Sequence, residues 1–332
     1  MMRVAILHGA GYVGRKLIEQ VLAHPHLELT LVTSRSHDGE PLWKAHSHLR
    51  GVTDLTFTSS FVPHVDVVFI AAGHGQGAKA AGEIRDQGYQ NLIVDMSADF
   101  RLPDAATYEK RYGAPHPRPD LLKDAWYGLP EITGPPPAGT KLIANPGCFA
   151  SAISLALHPL SKAGLVNPVS VLALTGASGS GAQAKETTHF PSRSGNVRAY
   201  KVFDHQHEAE IDRMAPGLTY SFVPASGPWT DGIWGVAQFE LTPSDLKKAG
   251  ISSVGELYEQ AYGSSPLIRL WNNQLPELHW SVGSAFTDLG WTQKGSHVAI
   301  GFAIDNLLKG AATQAIQNTN LALGFAETTG LV

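Results

Sequence analysis

Short apolar runs alternate with amphipathic stretches over the first half of the chain. Residues 3–7 read as a buried strand, and a glycine-rich turn then opens a helix to about residue 23 that carries Leu17, Ile18, Val21 and Leu22 on one face. Residues 27–32, 65–71 and 91–95 predict further strands, with a helix of small residues at 77–87 between the last two. Strands alternating with helices predict a parallel sheet wound on both faces. The three-proline segment 133–139 suits neither helix nor central strand, so it predicts a loop leading to a short strand at 141–144. A tight turn and an apolar helical stretch, 149–157, follow at once.

Beyond residue 148 the texture changes. Segments 169–174, 218–223, 232–241 and 297–304 predict strands without a helix between each pair, the pattern of an α+β domain with a mixed, largely antiparallel sheet. Asp305 is expected to cap a long helix, 306–323, whose Leu307, Ala311, Ala315 and Ala322 form one stripe before Gly324 ends it. That helix is expected to return to the first domain. The predicted organisation is therefore an α/β Rossmann-type dinucleotide-binding domain over 1–147 and 306–332, and a second domain over 148–305.

Composition narrows the function classes. The chain has 332 residues, 43% of them hydrophobic and 16% charged, enough to bury two cores. A formal net charge of −4 argues against nucleic acid and anionic membranes as partners, since both favour basic surfaces. A single cysteine forms no internal disulfide and no Cys-x-x-Cys pair suggests structural zinc, so a reducing compartment, the cytoplasm, is expected. The apolar run at 3–7 is too short for a signal peptide and is broken by His8 and Gly9, and no later run reaches spanning length.

Three motifs carry candidate chemistry. Gly9-Ala10-Gly11-Tyr12-Val13-Gly14 lies between a strand and a helix, where glycines let backbone approach a pyrophosphate resting on the helix N-terminus. The second strand ends in Thr33-Ser34-Arg35, hydroxyls and a guanidinium where NAD binding would ask for an acidic residue, so NADP(H) is favoured. Cys148 sits in Asn145-Pro146-Gly147-Cys148, a turn opening a helix, where unpaired N–H groups and the helix dipole stabilise a thiolate. Its alternative reading, a small buried hydrophobe, has no use for a Pro-Gly turn.

Weaker signals surround these. Ser178-Gly179-Ser180-Gly181 presents clustered donors suited to phosphate or to a nicotinamide amide, and otherwise reads as a flexible turn. His205 and His207 stand beside Glu208 and Glu210, a candidate acid/base pair held by a carboxylate, with metal binding the weakest reading because no third histidine is near. Arg101 is either an anion clamp or the partner of Asp99 in a structural salt bridge. Together a nucleotide turn, a helix-start cysteine and histidines suit hydride transfer to or from a covalently held acyl group.

The chain resembles the N-acetyl-gamma-glutamyl-phosphate reductases of arginine biosynthesis, relatives of aspartate-semialdehyde dehydrogenase. The likeness spans nearly its whole length, through the glycine turn, Ser97 to Leu102, Tyr127-Gly128-Leu129-Pro130-Glu131, Asn145 to Phe149, Ser178 to Ala182, His205-Gln206-His207 and Asp305 to Ala311. It implies a glyceraldehyde-3-phosphate-dehydrogenase-like second domain serving catalysis and oligomerisation, in a homo-oligomer, tetramer or dimer. It implies that Cys148 attacks a small-molecule acyl phosphate, that phosphate leaves, that NADPH reduces the thioester, and that His205 or His207 is the acid/base. Asn145 and Ser180 are then expected at the substrate, and Asn306 at the cofactor. The chain departs from the family in two places: Pro224 is followed by Ala225 where many members carry histidine, and Ala71-Ala72-Gly73-His74-Gly75 replaces a Leu-Pro-x-Gly loop. A sister branch acts on aminoadipate phosphate held by a small acidic carrier protein, and Thr33-Ser34-Arg35 and His48-Leu49-Arg50-Gly51 are similar to that branch as well. A protein of this fold that senses NADP(H) without turnover is the alternative of another class.

Overall fold

Side chains alternating along β1 (Met2–Leu7) put Val4 and Ile6 on one face of a sheet and Ala5 and Leu7 on the other. The computed structural model, which describes residues 1–165 and 167–332, covers both faces. With β2 (Leu27–Thr33), β3 (Phe57–Thr58), β4 (Val67–Ile70), β5 (Leu92–Asp95), β6 (Ala125–Tyr127) and β7 (Leu142–Ala144), β1 forms a seven-stranded sheet ordered β3-β2-β1-β4-β5-β7-β6. All its pairings are parallel. The Val4/Ile6 face packs on Leu17, Ile18 and Val21 of the helix Tyr12–Ala23 and on Ala312, Ala315 and Ile316 of the helix Ala312–Ala322. The opposite face packs on Ala78, Ala81 and Ile84 of the helix Gly77–Asp86. Strand order reverses between β1 and β4, and in such sheets dinucleotides bind outside the carboxyl ends of the strands at that reversal.

The chain divides into two compact units, Met1–Pro146 with Ala311–Val332, and Gly147–Gly310. Residues 306–310 thus belong to the second unit, whereas the sequence pattern assigns them to the first. The second unit is built on β8 (Val169–Thr175), β9 (Arg198–Ala199), β10 (Tyr220–Ser226), β11 (Ile233–Glu240), β12 (Ile268–Asn272), β13 (Thr287–Lys294) and β14 (His297–Ile304). They form one mixed sheet, ordered β12-β13-β14-β11-β8-β10-β9, with β8–β10 and β12–β13 parallel and the other pairs antiparallel. In the same unit the helix Cys148–Lys162 is buried along most of its length, as its nearly continuous apolar sequence demands. Tyr258 and Tyr262 hydroxyls donate to its Ala156 and Leu155 carbonyls, at 2.5 and 2.9 Å.

Three departures from the sequence pattern have identifiable causes. The last helix begins at Ala312, not at residue 306. Asp305 caps the turn after it, accepting the N–H groups of Leu307, Leu308 and Gly283 (2.8, 3.0 and 2.9 Å), but Ala311, at φ −156° and ψ −88°, lies outside the helical region, so the helix begins only after it. β12 and β13 carry a buried charge that breaks the apolar pattern, Asp288, which takes two hydrogen bonds from Arg269, one from Trp271 Nε1 and one from Ser281 Oγ. Finally, β10 runs through Pro224 to Ser226, because Pro224 still offers its carbonyl to Tyr200 N–H at 3.0 Å. Among the described residues no helix is long and apolar enough to cross a membrane.

Candidate active site and dinucleotide cradle

In the first unit the glycine turn is shaped by close approach. A Cβ on Gly9 would lie 2.3 Å from Val32 Cγ1, and one on Gly14 would lie 2.4 Å from the Gly9 carbonyl oxygen, so strand and helix reach this separation only with glycine at both positions. Gly11 is the helix N-cap, with no side-chain cap, and a Cβ there would meet nothing within 4 Å. That leaves open space in front of a helix start whose first residues are Tyr12 and Val13, a cradle that fits a pyrophosphate. The turn is braced by His46, whose Nε2 is 2.8 Å from the Gly9 carbonyl, so Nε2 carries the proton. Burial holds His46 below the ordinary histidine value and keeps it neutral.

Beside the turn, a cavity of about 340 Å³ is lined by His8, Ser34, Arg35, Ser59, Ser60 and Glu83, among others. Ser34 is nearly buried and exchanges a 3.2 Å hydrogen bond with Ser36. Hydroxyls and a guanidinium at the end of β2 suit a ribose carrying a 2′-phosphate. His8 has left-handed backbone, φ 59°, unusual for a residue with a side chain.

The other first-unit candidates have structural work. Arg101 is buried and donates from Nε to the Asn145 carbonyl and from Nη2 to the Met96 carbonyl, both at 2.8 Å, tying two chain segments together. Asp99, the salt-bridge partner considered for it, accepts the N–H groups of Gly75 and Ala78 at 2.8 Å each and so caps the helix Gly77–Asp86. The fully buried Asn145, expected at the substrate, donates to the Ala311 carbonyl and accepts from Asn318 Nδ2, bridging β7 to the last helix. Burial pushes Asp95 up to about 7, against hydrogen bonds from the Ser97 hydroxyl and N–H.

In the second unit the structure gathers Cys148, His205 and His207. Cys148 is the first residue of its helix, partly exposed, with Gly147 as an N-cap that has no side-chain cap of its own. The helix dipole and its leading N–H groups favour the thiolate there. Gly147 N–H donates to Glu210 Oε2 at 2.9 Å, so the carboxylate considered as a histidine partner anchors the cysteine turn. A Cβ on Gly147 would lie 2.4 Å from His207 Nε2, which places the imidazole directly against the residue preceding Cys148. His205 Nδ1 accepts the His207 N–H at 3.2 Å, and the two rings meet edge-on at 4.7 Å. Phe149 packs against both rings. Tyr200 also belongs here: burial, then the charge of Cys148, raise its phenol far above the ordinary value, with Arg193 and Arg198 opposing, so it remains a hydroxyl donor.

The glycine-serine segment is not a loose turn but a 3₁₀ helix, Ala177–Ser180. Asn306 accepts the Gly232 N–H at 2.5 Å and donates to Ser178 Oγ at 3.0 Å, so it fastens the segment containing Ser178, Gly179 and Ser180. Ser180 itself is exposed. Four residues escape sequence reasoning: His8, His46, Arg193 and Arg198. The two arginines line a cavity of about 220 Å³ with Glu186, Asn196 and Ser226, and buried Arg193 donates to the Thr175 carbonyl at 3.2 Å. Their signal was their being the only cations in the stretch 186–200 that leads to Tyr200.

Comparison with known proteins matches both units. Residues 3–136 match the semialdehyde dehydrogenase NAD-binding domain, and residues 148–306 the semialdehyde dehydrogenase dimerisation domain. The chain is 38% identical to the N-acetyl-gamma-glutamyl-phosphate reductase of Desulforudis audaxviator, over all of this chain and 98% of the relative. It is 37% identical to the [LysW]-L-2-aminoadipate 6-phosphate reductase of Deinococcus radiodurans, over 99% and 96%. Aspartate semialdehyde dehydrogenase II of Vibrio cholerae shares the fold, with a TM-score of 0.69 at 18% identity over 98% of this chain and 99% of that one. The glycine turn after β1, both domain matches and these full-length likenesses lead to one conclusion: the chain belongs to the semialdehyde dehydrogenase family, among the oxidoreductases that act on acyl phosphates.

Proposed function

We propose that this protein reduces N-acetyl-gamma-glutamyl phosphate to N-acetyl-glutamate 5-semialdehyde with NADPH, releasing phosphate, as a step of arginine biosynthesis in the cytoplasm. The observation that carries the reading is Cys148 at a helix start with the His207 imidazole against Gly147. The Cys148 thiolate attacks the acyl carbon and the carbon–oxygen bond to phosphate breaks, leaving a thioester. The glycine turn, Ser34 and Arg35 would hold NADPH, which when bound would supply a hydride to the thioester carbonyl carbon. His207 gives a proton to the resulting oxygen and takes it back as the carbon–sulfur bond breaks, releasing aldehyde and thiolate. His205, 2% exposed and accepting a backbone N–H, orients His207 and stays out of the proton transfer. Arg193 and Arg198 suit the substrate's carboxylate, and Tyr200 suits the acyl or phosphate oxygen. Ser34 and Arg35 support NADP(H) over NAD(H). The dimerisation-domain match supports a homo-oligomer.

The carrier-linked aminoadipate phosphate remains the second reading, since relatives named for it are as similar as those named for the N-acetyl substrate. A net charge of −4 gives no general attraction for an acidic carrier, which favours the free substrate. The test is phosphate-dependent oxidation of free N-acetyl-glutamate semialdehyde against carrier-bound aminoadipate semialdehyde. Turnover of the free compound, with NADP+ preferred over NAD+ by at least about tenfold in kcat/KM, is expected. Arg35→Asp is expected to reverse that cofactor preference, because an acidic residue there accepts from a ribose hydroxyl and repels a phosphate. Turnover confined to the carrier-bound compound would transfer the protein to the lysine route. NADP(H) binding with no turnover of either would make it a sensor.

A further inference from the structure

His8 sits where the chain leaves β1 for the glycine turn, at φ 59°, a conformation that glycine adopts freely and other residues rarely. Two hydrogen bonds from this point to Thr33 hold it there: His8 N–H to Thr33 Oγ1 at 3.1 Å and Gly9 N–H to the Thr33 carbonyl at 2.9 Å. A side chain is therefore kept at a strained position beside a cofactor cradle, and outliers of this kind concentrate at ligand sites. Its imidazole lines the 340 Å³ cavity together with Ser34, Arg35, Ser59 and Ser60.

The charged groups that line this cavity with His8, among the described residues, are two. Arg35 comes from the chain just after β2, and Glu83 from the helix Gly77–Asp86. Burial and then Arg35 hold the imidazole below its ordinary value, while Glu83 acts the other way. Burial and Arg35 thus favour the neutral form of His8 near pH 7. A dianion placed among these groups offsets the repulsion from Arg35 and rewards a second positive charge.

We propose that His8 is a specificity-determining residue that takes up a proton when a 2′-phosphorylated adenine dinucleotide enters the cavity, so that His8 and Arg35 together bind the 2′-phosphate as a pair of cations. This rests on the NADP(H) reading given above. Recognition by His8 is strongest at mildly acid pH and fades as pH rises, because only the protonated ring adds charge.

Calorimetric titration with 2′,5′-ADP and with 5′-AMP, in buffers of different ionisation enthalpy at pH 6, 7 and 8, tests it on the whole protein. His8→Gly suits the left-handed backbone, so the variant folds. The wild type is expected to take up protons on binding 2′,5′-ADP relative to His8→Gly, with a difference approaching one proton per site near pH 7. The phosphate, with a second pKa of about 6, is already mostly ionised at pH 7 and above, so its own titration contributes little to that difference there. For His8→Gly, the preference for 2′,5′-ADP over 5′-AMP is expected to fall about tenfold at pH 6 and little at pH 8. Retained preference with identical proton uptake in wild type and variant overturns the role of His8 alone. A wild type that binds 2′,5′-ADP no better than 5′-AMP overturns the cofactor preference, and this proposal with it.

Discussion

Cys148→Ser is expected to lower kcat by at least about three orders of magnitude while leaving NADPH binding and the melting temperature close to those of the wild type. A serine hydroxyl nearly fills the place of the thiol, so the packing of the helix start changes little. The chemistry changes greatly, since at neutral pH a hydroxyl supplies almost no anion even at a helix N-terminus, and losing a nucleophile costs on the order of 10³-fold or more. Cys148 is partly exposed at the first helical position, so reagents as well as substrate reach it. Alkylation by iodoacetamide should therefore abolish turnover in the wild type, and an acyl phosphate should protect against it. Full activity in the serine variant would remove the thioester from the mechanism.

Gly147→Ala is expected to reduce kcat about 100-fold without unfolding the protein. The backbone at Gly147, φ −73° and ψ 147°, accommodates alanine, so the backbone part of the substitution costs only the lower N-cap preference of alanine, about 1 kcal/mol. Its Cβ, however, would lie 2.4 Å from His207 Nε2 and 2.7 Å from two ring carbons of the same imidazole. The ring must move, and displacing a catalytic group by about 1 Å costs on the order of 10²-fold in rate. Single-turnover kinetics and a thermal melt separate the two effects. A variant with a normal melt and a normal hydride-transfer rate would show that His207 holds no proton-transfer role at its present position.

The parts of this molecule that can be read without coordinates are those whose cause is local. The parallel sheet of the first unit is buried on both faces, so residues 4–7 of β1, all of β4 and residues 92–94 of β5 appear as unbroken apolar runs. Cys148 stands out for its Pro-Gly turn and apolar helix, both contiguous in sequence. Where a buried polar group interrupts the pattern, the reading fails, as with Asp288 in β13. Functional support that arrives from afar is equally hidden. His46 meets the glycine turn across 37 residues, and nothing in its neighbourhood announces that contact. Asn145 shows the converse: a residue close to Cys148 in sequence spends its amide on Ala311 and Asn318, more than 160 positions away.

The chain's discontinuous first unit has a consequence for its birth on the ribosome. Its sheet face needs Ala312, Ala315 and Ile316 to close over Leu17 and Ile18, yet Gly147–Gly310 must be translated before those residues exist. The inserted half can mature as soon as it emerges, while the amino-terminal half waits with part of its apolar surface bare. A nascent chain arrested before residue 311 should therefore carry one finished body and one unfinished one, and the unfinished one is where chaperones would be recruited.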